Sequence, residues 1–117
     1  MASQADKIVV LITAADVQEA EKISSLLVAK RKVACCNTVP SVHSTFRWQG
    51  KVENESESLL ICKTRRAALP AVIELVKSVH SYDVPEIIAL PVIGGSDDYF
   101  TWMDEVIDLP DMPAQPC

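Results

Sequence analysis

The chain has 117 residues, of which 49% are hydrophobic and only 5% aromatic, and its formal net charge is -5. That length and composition support one domain with an aliphatic core. The acidic balance excludes a general nucleic-acid binder, which needs Lys and Arg at phosphates, and no run approaches the roughly 20 apolar residues of a membrane span.

Residues 1–6 read as a flexible N-terminus without the basic start and apolar segment of a secretory signal, so a cytoplasmic location is expected. Lys7 to Ala14 is a continuous apolar, β-branched run, a strand buried on both faces. Asp16 and Glu19 have the spacing of a capping box. The helix they open runs to about Lys32, with Val17, Ala20, Ile23, Leu26 and Leu27 as its apolar stripe. Lys30, Arg31 and Lys32 close it against the C-terminal dipole.

Val33 to Trp48 is a long extended segment. Its apolar parity switches at Pro40, which predicts a bulge. Trp48-Gln49-Gly50-Lys51 is a tight turn, and the return strand runs from Lys51 to about Thr64. The first half of that strand is polar, with Glu53, Glu55 and Glu57 on one face; the second half is apolar. Such a hairpin arm, carrying Phe46 and Trp48, is an interaction surface and predicts an oligomer.

A second helix spans Arg65 to Val79, with Pro70 in its first turn. The linker His80-Ser81-Tyr82-Asp83-Val84-Pro85-Glu86 then leads into a strand from Glu86 to Val92. Pro91 places that strand at a sheet edge. A short third helix covers Tyr99 to Ile107, and residues 108–117 form a tail with three Pro. The order βαββαβ over 7–107 is the ferredoxin-like split motif, an α+β sandwich with both helices on one face of an antiparallel sheet.

The linker is the densest chemistry in the chain. His80 with Glu57, Asp83 and Glu86 can supply an N/O site for Cu²⁺ or Zn²⁺. The plainer readings are that His80 bonds a carbonyl at the helix end and that Glu57 is a solvated charge. Trp48, Lys63, Tyr82, Tyr99 and Trp102 can line a cleft between subunits, or can simply pack there. Cys35, Cys36, Cys62 and Cys117 form no C-x-x-C and default to free thiols, Cys35 and Cys36 facing opposite ways. A Cys35/His80 nucleophile pair is an open alternative. No phosphate-cradling Gly loop or hydrolase motif is present in the sequence, so no enzyme is expected.

Several motifs carry a resemblance in order: Ala34-Cys35-Cys36-Asn37 before Pro40; Trp48, Gly50 and Lys51; Glu57; Lys63-Thr64; His80, Tyr82 and Pro85-Glu86-Ile87-Ile88; Tyr99 and Trp102. Together they resemble the CutA divalent-cation tolerance family over residues 7–107. The resemblance implies a tight homotrimer of PII-like architecture with arms paired across subunits. It also implies a role in tolerance of copper and other divalent ions, without an established catalytic activity. Ser81, Cys36, Thr38 and Thr45 depart from the usual pattern, and Ile12 stands where some copper-binding members have Cys. The alternatives to metal binding are a PII-like module for small ligands and a structural trimeric scaffold.

Overall fold

In the computed structural model, which describes residues 6–109, the elements follow one another as β1 (Lys7–Ala14), α1 (Val17–Ala29), β2 (Cys35–Trp48), β3 (Lys51–Arg65), a 3-10 turn (Arg66–Ala68), α2 (Leu69–Val79), β4 (Ile87–Pro91) and α3 (Asp97–Val106). The strands form one sheet in the order β2-β3-β1-β4, antiparallel at every pairing. β1 is central because both its faces are apolar. Ile8, Val10, Ile12 and Ala14 turn toward the helices, where they meet Leu60 and Cys62 of β3, Ala20, Ile23 and Leu27 of α1, and Val72 and Val76 of α2. The tail beyond residue 109 and residues 1–5 lie outside the described residues. Asp6 itself is anchored, its carboxylate 2.8 Å from both Lys7 Nζ and Arg65 Nε.

The bulge falls at Pro40. Val39 opposes Leu59 and Val42 opposes Glu57, so β2 spends one residue more than β3. The buried Ser58 hydroxyl donates to the Pro40 carbonyl at 2.7 Å and satisfies the group that the bulge takes out of the ladder. Beyond this point β1 has no residues left to pair, and Val42–Trp48 continue with Lys51–Glu57 as a two-stranded arm. Its seven rungs extend roughly 24 Å at strand spacing and account for the molecule's long axis of 54 Å against 27 and 25 Å. Gln49 (φ 51°) and Gly50 (φ 81°) both take positive φ, which makes the tip a type I′ turn.

The end of α1, the role of its basic run and the start of α2 differ from the sequence expectation; α2 opens at Leu69, after the 3-10 turn, rather than at Arg65. α1 stops at Ala29 rather than near Lys32, because Arg31 is left-handed (φ 59°) and the amides of Arg31 and Lys32 turn back to the carbonyls of Val28 and Leu27. The basic run also serves a different helix from the one expected. Arg31 Nε and Nη2 donate to the carbonyls of Val106 and Glu105, and Lys32 Nζ to that of Asp108, so these cations cap α3. α3 is further held by the buried Lys7, 3.0 Å from Asp104 and over the Phe100 ring.

Candidate functional site

The site is built where the arm leaves the sheet. On β3, Glu53, Glu55 and Glu57 share parity with Leu59 and Ile61, so they face away from the helices. After the bulge, Val42, Ser44 and Phe46 of β2 lie opposite these three glutamates on the same face. The linker between α2 and β4 closes the other wall with Tyr82, Asp83, Val84 and Glu86. The result is an open cleft of about 770 Å³, lined by Phe46, Trp48 and Tyr82 and by five carboxylates, with no Lys or Arg.

The linker is held from behind by the capping box of α1. Asp16 Oδ1 accepts the Glu19 amide at 2.8 Å, and Glu19 Oε1 accepts the Ala15 amide at 2.9 Å. The second oxygen of Glu19 accepts the Ser81 amide at 2.9 Å, which ties the start of α1 to the start of the linker. Burial raises the Glu19 pKa, but the hydrogen bonds from Ala15 and Ser81 outweigh it. The carboxyl sits below its ordinary range.

His80 has a 0% exposed side chain, and both of its ring nitrogens are engaged. Nδ1 accepts the Tyr82 amide at 3.0 Å, and Nε2 lies 2.7 Å from the Thr13 carbonyl. Only the neutral tautomer with the proton on Nε2 satisfies both bonds. The imidazole is thus a strut between the end of β1 and the linker, in tilted contact with the Tyr82 ring at 4.7 Å. The Tyr82 hydroxyl in turn donates to Glu57 Oε2 at 2.8 Å. Burial first, and then Glu57, push the phenol pKa upward, so it remains a donor. Glu57 is only 7% exposed, and this phenol is its partner on the cleft floor.

The four predicted ligands are therefore arranged in two ranks. Glu57, Asp83 and Glu86 line the cleft, while His80 stands behind it. Among the described residues no three His, Cys, Asp or Glu converge closely enough to hold a metal ion, so one chain does not form a closed coordination site. Glu53 and Glu55 join the cleft by strand parity, the signal that makes them visible in the sequence as a one-sided acidic series.

The five residues predicted for an inter-subunit cleft also divide. Trp48 and Tyr82 line the acidic cleft. Lys63 sits toward the other end of the sheet, bonded through Nζ to Asn37 Oδ1 and 3.7 Å from Cys35 Sγ. Tyr99 and Trp102 pack on each other at 5.3 Å on α3. Cys35 and His80 are not brought together: Cys35 pairs with Lys63, opposite the start of β1, whereas His80 bonds Thr13 near its end.

An antiparallel sheet with a split βαβ order, α1 and α2 on one face and a long acidic arm defines the class as an α+β sandwich of the ferredoxin-like kind. Residues 8–106 match the model of the CutA1 divalent ion tolerance protein family. The chain is 45% identical over 97 residues to the divalent-cation tolerance protein CutA of Thermus thermophilus, covering 83% of this chain and 94% of that one. It is also 45% identical over 96 residues to the chloroplastic CutA of Arabidopsis thaliana, covering 82% of this chain and 53% of that protein. The chain spans about half the length of the plant and mouse relatives it matches. The solved CutA1 structure from Oryza sativa superposes with a TM-score of 0.86 at 38% identity, covering 91% of this chain and 98% of that one. The chain belongs to the CutA1 divalent ion tolerance protein family.

Proposed function

We propose that this protein works in divalent-cation tolerance as a cytosolic homotrimer that collects hydrated divalent ions, copper(II) foremost, in its arm clefts. The observation that carries this reading is the lining of the cleft: five carboxylates and no basic residue. A concave wall of one sign concentrates counter-ions above it. Oxygen donors accept the whole divalent series, within which copper(II) binds most tightly. The ion is cargo here, and no resident metal is required. Its binding is weak and partly through water, since no closed set of ligands exists in one chain.

Two features support self-assembly. The sheet face opposite the helices carries Val9, Leu11, Leu59, Ile61, Ile88 and Leu90, with Ile88 52% and Leu90 48% exposed. The arm is a two-stranded ribbon, which is marginal in water without a partner. Three copies that bury this face and pair their arms would bring a second chain's groups to each cleft. A PII-like module for small anions has less support, because the cleft lacks cations and Lys63 is engaged by Asn37.

Equilibrium dialysis against Cu²⁺ tests the site. Glu55, Asp83 and Glu86 are exposed and support no hydrogen bond described above. Neutralising them together (Glu55→Gln, Asp83→Asn, Glu86→Gln) should weaken copper uptake by about tenfold or more, the equivalent of about 1.4 kcal/mol, with the fold intact. Unchanged uptake would remove the cleft as the site.

A further inference from the structure

Two thiols touch within the four-stranded sheet, in line with Val10 at the middle of β1 and away from the acidic cleft. Cys36 of β2 and Cys62 of β3 are directly opposed in the strand register. Both point into the layer beneath the helices, and their Sγ atoms are 3.1 Å apart. Opposed residues of antiparallel strands have Cα atoms about 4.5–5.5 Å apart, inside the roughly 4.4–6.8 Å that a disulfide spans. Closing the sulfurs to a bond length of about 2.05 Å therefore needs side-chain rotation and no movement of the strands. Cys35 does not compete, since strand parity puts it on the other face beside Lys63.

We propose that Cys36 and Cys62 form a reversible redox-modification site, a dithiol that a peroxide converts into a cross-strand disulfide. The two sulfurs are unequal. Cys62 is fully buried, whereas Cys36 is half-buried on the outermost strand and is the one a small oxidant can reach. Contact with the Cys62 thiol, helped by the charge of Lys63, lowers the Cys36 thiol against its burial. The same contact and deeper burial hold the Cys62 proton in place.

The chemistry follows from that inequality. The Cys36 thiolate attacks one peroxide oxygen, the O–O bond breaks, and hydroxide leaves and takes a proton as water. Cys36 is then a sulfenic acid. Cys62 attacks that sulfur, the S–S bond forms, the S–O bond breaks, and the oxygen departs with the Cys62 proton as a second water. Two thiols are oxidised by two electrons in all, and one hydrogen peroxide is reduced to two waters. The new bond links β2 to β3 within the sheet and closes the chain around the bulge and the whole arm.

The test is intact-mass measurement of the full chain after brief exposure to hydrogen peroxide, followed by dithiothreitol. The prediction is a loss of about 2 Da per chain, the two hydrogens a disulfide removes, restored by the reductant. The oxidised protein should also show a thermal midpoint raised by a few degrees. The mass loss should persist when Cys35 and Cys117 are both changed to Ala and should vanish in Cys36→Ala and in Cys62→Ala. If Cys62→Ala does not fold, Cys36→Ala at its half-buried position carries the same test. A wild-type chain that stays reduced, gains oxygen instead or links to another chain, or a double variant Cys35→Ala, Cys117→Ala that loses the effect, overturns the proposal.

Discussion

At the scale of single residues, His80 shows how a side chain suited to a metal can serve a different purpose. Imidazole is the commonest neutral nitrogen ligand, and its place in a polar linker invites that role. Yet its two nitrogens join Thr13 to Tyr82, and Tyr82 passes the order on to Glu57. His80→Ala should therefore act on stability before it acts on copper. Leaving the Thr13 carbonyl and the Tyr82 amide without their buried partner costs about 1–3 kcal/mol. Urea denaturation should show a lower midpoint at an unchanged slope, the product of the two giving a loss of that size. A variant as stable as the parent but unable to bind copper would make His80 a ligand and not a strut. That His80 bonds a carbonyl was the plainer reading of the sequence; which carbonyl, and the bond from the Tyr82 amide, were not legible. Its carbonyl partner lies 67 positions away, and only the fold decides that Thr13 ends its strand beside the end of α2.

At the scale of elements, the linker and α1 form one unit through Glu19. The Glu19 pKa is lowered in the folded chain, from an ordinary value of 4.5. A carboxyl of this kind adds stability that is fully present above its unfolded pKa and is lost as pH falls through the folded one. Asp6, lowered by Lys7 and Arg65 against its burial, adds a second contribution of the same sign below its ordinary 3.8. Thermal midpoints should hold steady near neutrality and fall as pH drops below about 4.5. Glu19→Gln should flatten part of that fall and raise hydrogen exchange at Ser81 relative to the parent. A midpoint that rises on acidification would contradict the sign.

The same elements show what patterning carries and what it does not. The strand-helix order, the capping box at Asp16, the bulge at Pro40 and the edge position of β4 all follow from local rules of period, cap and proline, and the structure has them. Arg31 fails those rules. A left-handed arginine has no local signal, and its justification is a pair of carbonyls on α3 about 75 positions later in the chain. The Cys36–Cys62 contact is similar. Parity separated Cys36 from Cys35, but its true partner depends on the hairpin register 26 residues away. The acidic cleft was half legible: the one-sided series Glu53, Glu55 and Glu57 is visible, whereas the wall that makes it concave comes from the linker.

On the scale of the whole molecule, the fold leaves two surfaces that a lone chain does not complete. One is the apolar sheet face opposite the helices, with Ile88 and Leu90 half exposed; the other is the arm. Self-assembly would cover the first and brace the second, and it would place several acidic clefts on one particle. Assembly and cation collection are then two consequences of the same arm. The measurement that tests this most directly is the native mass of the metal-stripped protein, recorded with and without added Cu²⁺. The account predicts three times the mass of one chain, with copper uptake that levels off at one ion for each chain. A monomer, or a trimer that remains bare or gains ions without a plateau, would contradict it.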